Sequence, residues 1–299
     1  MHADGNTQVS PPLVPPKRSV SESADRPAIE QSDGPVIELR GAAKRFRSAS
    51  GVHTAIRDLD LAVASGEFVA VVGPTGCGKS TALSLISGLE RPSAGRVIVQ
   101  GRDVDGIPAG IGYMFQHDAV LPWRTVLDNV AAGPRYRGAG RHAARDRARD
   151  WVARVGLAGF EDYYPHQLSG GMRKRVALAQ TLVNKPAILL MDEPFSALDV
   201  QTRGLMQDEL LRLWSGSGAA VVFVTHDLEE AVVLADRVVV MTAAPATIKG
   251  SFAVPLVRPR EAEEVRLTTE FLDIYREVWD SLRAEVQIAR ERGAHNATA

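Results

Sequence analysis

Between residues 68 and 81 the chain passes from an apolar run, Phe68-Val69-Ala70-Val71-Val72, into Gly73-Pro74-Thr75-Gly76-Cys77-Gly78-Lys79-Ser80 and on to Thr81. A Gly-x-x-x-x-Gly-Lys-Ser loop has meaning only between a strand and a helix, and both are legible. The valine-rich run reads as a strand. Residues 79–88 place Leu83 and Ile86 on one helical face and stop at Gly88. The glycines allow backbone N–H groups to turn inward and meet an anion closely, and the helix N-terminus adds unpaired donors and positive dipole. Lys79 brings a charge to the β- and γ-phosphates of a nucleotide, Ser80 offers its hydroxyl to Mg2+, and Thr81 adds a donor. Cys77 reads as a small, shielded side chain at a variable loop position, the alternative being a redox switch.

The rest of the chain is patterned to suit. Residues 36–39, 59–63 and 97–99 read as strands, separated by turn residues such as Ser65-Gly66 and Ser93-Ala94-Gly95. Three short, nearly continuous apolar runs follow at 187–191, 219–224 and 237–241. Such runs are expected of parallel strands buried on both faces, and helical patterns lie between them, so the class is α/β. The 299 residues are 45% hydrophobic and 24% charged, with ample apolar material for a core. The net charge of -1 argues against a protein that coats nucleic acid. The single cysteine excludes an internal disulfide. No apolar run nears the roughly 18–20 residues that cross a bilayer, and the opening Met1-His2-Ala3-Asp4-Gly5 lacks a signal-peptide pattern. The expectation is a chain soluble inside the cell, held at any membrane by another polypeptide.

Three divisions are expected. Residues 1–35 carry Pro11, Pro12, Pro15, Pro16, Pro27 and Pro35 with few large apolar residues, and read as a disordered tail. Residues 36–260 form the nucleotide-binding domain. Residues 261–299 form a C-terminal helical extension with a frayed end, in which Phe271, Ile274, Val278 and Leu282 recur at helical spacing and pack on the body. Arg135, Arg137, Arg141, Arg145, Arg147 and Arg149, interleaved with Asp146 and Asp150, read as a solvated helix face, the alternative being a nucleic-acid patch.

A second cluster completes the chemistry. The run at 187–191 ends in Asp192-Glu193-Pro194. A buried strand that delivers two carboxylates at its C-terminal end suits the metal side of phosphoryl transfer. Asp192 would hold Mg2+, and Glu193 would polarise the attacking water.

Leu168-Ser169-Gly170-Gly171-Met172 then resembles the signature of ABC-type ATPases. With it come Gln116 after the strand at 111–115, Ser196-Ala197-Leu198-Asp199, and His226 after the strand at 219–224, in the family's order. Phe46 stands where the family places an aromatic that stacks on adenine. The resemblance covers about residues 36–260. It implies a P-loop ATPase core of mainly parallel sheet flanked by helices, with an antiparallel β subdomain and a helical signature subdomain. It implies ATP and Mg2+ as ligands, and a homodimer in which Ser169, Gly170 and Gly171 of one copy cap the γ-phosphate held by the other. Asp199 would relay between the two sites, His226 would hold the γ-phosphate and the water, and Gln116 would touch Mg2+. Met172 departs from the glutamine of many relatives.

Finer resemblance is to importers of nitrate, sulfonates and taurine. It rests on residues 114–124, Asn129-Val130, residues 193–199, Thr202-Arg203, Met206-Gln207, Leu213-Trp214 and residues 255–260. It implies a separate integral-membrane permease, an indirectly engaged solute-binding protein, and a peripheral place on the cytoplasmic face of the inner membrane. Leu121, Pro122 and Trp123 are the coupling candidates, the alternative for Trp123 being core of the helical subdomain. The solute stays open among nitrate, alkanesulfonate, taurine, bicarbonate and pyrimidine-type precursors. A soluble ABC ATPase acting on nucleic acid or ribosomes is the competing reading, and the absence of paired cassettes or long inserted coiled coils speaks against it. Intact Glu193 and His226 speak against a non-catalytic regulatory cassette.

Overall fold

The computed structural model describes residues 34–48, 51–117 and 119–297. The proline-rich tail expected at 1–35 lies outside them except for Gly34 and Pro35. In chain order, β1 (Ile37–Ser48) and β2 (Gly51–Val63) precede β3 (Phe68–Val72) and α1 (Lys79–Ile86). Next come β4 (Ala94–Val99), β5 (Arg102–Asp103) and β6 (Ile111–Met114), then α2 (Val126–Val130), α3 (Ala132–Tyr136), α4 (Arg141–Arg154) and α5 (Gly170–Leu182). The second half alternates: β7 (Ile188–Asp192), α6 (Val200–Trp214), β8 (Ala220–Val224), α7 (Leu228–Leu234), β9 (Arg237–Met241), β10 (Ala246–Ala253), α8 (Ala262–Val265) and α9 (Thr269–Ala297).

The described strands join in the order β5-β4-β1-β2-β10-β9-β3-β8-β7-β6. From β9 to β6 every pair is parallel, whereas β1, β2, β4 and β5 pair antiparallel. The strands β1, β2, β4 and β5 are therefore the antiparallel subdomain expected from the sequence, and the parallel part is the core. The apolar runs alternate in destination, although they do not alternate in polarity. Phe68, Ala70 and Val72 of β3 face a core shared with α2, α4, α5, α6, α7 and α9. Val69 and Val71 face a second core with α1 and the antiparallel strands. A strand covered on both sides has no polar face to betray its period, which is why the sequence shows only continuous apolar runs.

Boundaries shift where tertiary pairing extends an element. The strand read at 36–39 grows to Ser48 because it pairs with both β2 and β4. β10, for which the sequence gives little apolar signal, forms on the edge of β9. The C-terminal helix runs to Ala297, beyond the pattern seen to about Arg290. Phe271, Val278 and Leu282 are buried there and Ile274 is half-buried, so the expected apolar stripe does face the body. On α4 the buried residues are Ala144, Ala148 and Val152. Its arginines stay outside, with Arg145 paired to Asp128 and Arg149 to Asp146.

Candidate active site

β3 ends at Val72, and the loop 73–78 wraps the N-terminus of α1. Gly78 caps that helix at φ 118°, a conformation open to glycine, and a Cβ there would come within 3.1 Å of the Ala55 carbonyl oxygen. Lys79 is buried, and its ammonium donates to the carbonyl oxygens of Gly73 (2.9 Å) and Pro74 (3.1 Å). A phosphate group offered to the loop would thus compete with two neutral acceptors for a cation already in place. Cys77 is 1% exposed and burial pushes its thiol up, which favours the shielded small side chain over a reactive thiolate. Thr75 and Gly76 stand at the loop's exposed crest.

The acid cluster arrives from β7, two strands away across β8. Ser80 Oγ donates to Asp192 Oδ1 at 3.0 Å, so the two residues expected at the metal do meet. Burial, and secondarily the Glu193 charge, raises the Asp192 carboxyl above its ordinary range. A hard dication answers such unmet negative charge, and a hydroxyl beside a carboxylate is an oxygen donor set suited to Mg2+. No three His, Cys, Asp or Glu side chains gather as a metal site among the described residues. Ser80 and Asp192 would therefore share Mg2+ with phosphate oxygens.

Glu193 sits at φ 42°, and its N–H donates to the Val224 carbonyl oxygen at 2.9 Å. Strain at an ordinary residue of about 1–3 kcal/mol is tolerated where the surroundings fix the backbone. Its carboxylate is bracketed: Gln116 Nε2 donates to Oε2 at 3.3 Å, and His226 Nδ1 lies 3.0 Å from the same oxygen. Gln116 therefore meets Glu193 directly, while Ser80 and Asp192 form the neighbouring pair. The Gln116 carbonyl oxygen accepts from buried Lys174 at 2.9 Å, a support from α5 that the sequence pattern did not single out.

Two expected groups sit on their own helix ends. Ser169 caps α5 by accepting from Met172 N, and Asp199 caps α6 by accepting from Thr202 N. Bonding to that backbone N–H holds the Asp199 carboxyl below its ordinary range. Among the described residues neither hydrogen-bonds to the phosphate loop. Gly170 has open space where a Cβ would be, apart from the Arg173 guanidinium at 3.9 Å, whereas Gly171 lies against Thr202 of α6. Phe46 is 36% exposed with the Lys44 ammonium 5.1 Å from its ring centre, a surface ring and not a core one.

Trp123 is 71% exposed, which removes the core alternative. The cause is Asn129, fully buried, whose amide donates to the carbonyl oxygens of Leu121, Arg124 and Thr125 and whose oxygen accepts from Leu121 N. That bracket folds 121–125 into a tight loop and turns the indole outward. A sequence reading found Asn129 only as part of a family match.

Comparison with known proteins gives the following. Residues 56–196 match the family model described as ABC transporter. The chain is 47% identical over 250 residues to an uncharacterized ABC transporter ATP-binding protein of Methanocaldococcus jannaschii, covering 84% of this chain and 92% of that one. It is 41% identical to the taurine import ATP-binding protein TauB of Burkholderia thailandensis, covering 81% and 95%. Against the nitrate import ATP-binding protein NrtC of Synechococcus elongatus the identity is 40%, over 80% of this chain and 37% of that protein. Among solved structures, a dimeric ATP-binding cassette in a post-hydrolysis state with ADP and Pi superimposes with TM-score 0.66 at 30% identity, covering 74% of this chain and all of that one.

Proposed function

The chain belongs to the ABC transporter ATP-binding family, in the branch of nitrate, sulfonate and taurine import, and on that premise we propose that it is the ATP-hydrolysing subunit of an importer whose membrane-crossing part is a separate permease. The observation that carries the reading is the convergence at one end of the parallel strands. Ser80, at the start of the helix after β3, donates to Asp192 at the end of β7, and His226 after β8 lies 3.0 Å from the next carboxylate, Glu193.

The roles follow from those positions. Gly73, Pro74, Thr75, Gly76, Cys77 and Gly78 present backbone to the phosphates, and Lys79 leaves its carbonyl partners to meet the β- and γ-phosphates. Phe46 stacks on the adenine, and Thr81 adds a donor at the helix start. Ser80 and Asp192 would hold Mg2+, with Gln116 reaching it, and the ion would supply neutralisation of phosphate charge. The Glu193 carboxylate accepts a hydrogen bond from the attacking water and takes its proton as the water oxygen attacks the γ-phosphorus, and His226 fixes Glu193 on one side and the γ-phosphate on the other. The α5 terminus at Ser169, Gly170 and Gly171 is an anion site with no phosphate of its own chain beside it. A second copy arranged head to tail supplies one, and Asp199 lies at that junction. The dimeric cassette that superimposes on this chain supports the dimer.

Trp123, displayed by the Asn129 bracket, would meet the permease. No helix among the described residues is long and apolar enough to cross a membrane, and a peripheral place on the cytoplasmic face of the inner membrane follows from a permease partner. The cargo is a small anion of the nitrate, sulfonate or taurine kind, delivered by a solute-binding protein. Pairing of Arg145 and Arg149 with acids gives the nucleic-acid alternative no support.

The test is Glu193→Gln in the purified chain. ATP affinity is retained, an ATP-dependent dimer accumulates, and turnover falls roughly 10²–10⁴-fold. Near-normal turnover removes Glu193 from the base role and with it this reading of the site.

A further inference from the structure

Arg203 lies in the first turn of α6, where its backbone N–H donates to the Asp199 carbonyl oxygen at 2.9 Å. Its side chain is three-quarters covered and forked. One terminal nitrogen, Nη2, donates to the Leu198 carbonyl oxygen at 3.0 Å, the peptide immediately before Asp199. The other, Nη1, donates to Asp227 Oδ2 at 3.0 Å, the residue immediately after His226. Nε is buried without a hydrogen-bond partner and lies 3.6 Å from Oε1 of Glu230, whose side chain is 4% exposed.

The segment it grips on the histidine side is internally locked. Asp227 Oδ1 accepts from Glu229 N and Glu230 N, leaving Oδ2 for the arginine. The Thr225 hydroxyl donates to Glu230 Oε2 at 2.7 Å and accepts from Asp227 N at 3.0 Å. His226 is thus held between two residues whose side chains are fixed. On the other side Thr202, next to Arg203, is the residue that Gly171 of α5 packs against, since a Cβ on Gly171 would fall 2.7 Å from its methyl group. Two segments, 198–203 and 225–230, therefore meet at one guanidinium, and the third, 169–171, packs against the neighbouring Thr202.

We propose that Arg203 is a positioning residue for hydrolysis, tying the segment that carries Asp199 to the segment that carries His226 so that they move as one body. The proposal rests on the roles given above to Asp199 and His226. A guanidinium suits this because it is a planar fork of fixed geometry, able to serve a carbonyl and a carboxylate at once, whereas a lysine ammonium is a single point of charge. Stability alone does not call for the arrangement, because buried ion pairs are often replaceable by apolar groups without loss. The link also gives a physical route between the two sites of a dimer: the end of α6 that faces the partner copy cannot shift without pulling on Asp227, and with it the histidine on Glu193.

The test uses the full chain and two variants. Arg203→Lys keeps a positive charge facing Glu230 but cannot reproduce both fork contacts. Arg203→Met with Glu230→Gln removes the guanidinium together with its most deeply buried acid, and leaves Asp227, which is 27% exposed, to water and the backbone N–H groups it already accepts from. In both, kcat falls about tenfold or more while KM for ATP stays within about twofold and the melting temperature stays near that of the wild type, as expected when reacting groups are displaced by a fraction of an ångström. His226→Ala is run beside them. If both Arg203 variants keep kcat within about twofold of the wild type, or change only KM, the positioning role is overturned. With His226→Ala silent, that outcome leaves the site reading standing; with His226→Ala also active, the site reading falls too.

Discussion

Glu230 is an acid that the fold buries beside its own site. Burial is the main cause that raises its carboxyl, from 4.5 to about 7; the Asp227 charge adds to the rise, while the Thr225 hydroxyl, Arg203 and His226 oppose it. Because the folded value lies above the unfolded one, the folded chain binds more protons than the unfolded chain between these limits, and stability falls as pH rises through that window. No penalty is present well below pH 4.5, and it is complete above pH 7. At 1.36 kcal/mol per unit the full cost is about 3 kcal/mol, of which about 2–3 kcal/mol develops between pH 5 and 8. Glu230→Gln keeps the shape and a hydrogen-bonding partner for Thr225 while removing the titration. Urea unfolding of both chains at pH 5, 6, 7 and 8 isolates the effect, because every titrating group other than Glu230 and the three that face it, Asp227, Arg203 and His226, contributes equally to the two. The variant should gain on the wild type by about 2–3 kcal/mol across the series, with the steepest change near pH 6. A difference that stays flat within about 0.5 kcal/mol would falsify the argument, since Glu230 would then titrate as an exposed glutamate does.

Other outcomes test the remaining assignments. Lys79→Ala should abolish nucleotide binding measured by calorimetry, and unchanged ATP affinity would sink the phosphate-loop assignment. Phe46→Ala should raise KM for ATP about 3–10-fold with kcat kept, the loss of one aromatic stack of about 0.5–1.5 kcal/mol; a GTP-to-ATP preference equal to that of the wild type and an unmoved KM would place the ring outside the adenine site. Phe68→Ala empties a fully buried position packed edge-on to Trp214 at 5.3 Å and should cost about 3–5 kcal/mol in urea unfolding. A loss below about 1 kcal/mol there would show that this face of β3 repacks freely.

The parts of this protein whose physics is local are legible in the residues alone. A phosphate cradle needs glycine backbone, a lysine and a hydroxyl at fixed spacing between a strand and a helix, so residues 73–81 could be read without any fold. The strand at Phe68–Val72 and the strand at Arg237–Met241 were legible to the residue, because strands covered on both faces are marked by uninterrupted apolar character. Tertiary structure decided what depends on residues far apart in the chain. The length of β1 and the existence of β10 come from neighbouring strands that supply hydrogen-bond partners and not from composition. The outward turn of Trp123 comes from Asn129 satisfying its buried amide on the loop's own carbonyls. The roles of Arg203, Glu230 and Lys174 are not legible in the sequence because charged residues on helical patterns read as solvent-facing until packing places them inside. Burial is a property of the assembled chain, and the roles of these three side chains follow from it: a charge withdrawn from water must find its partners, and here the partners are the segments that carry the site.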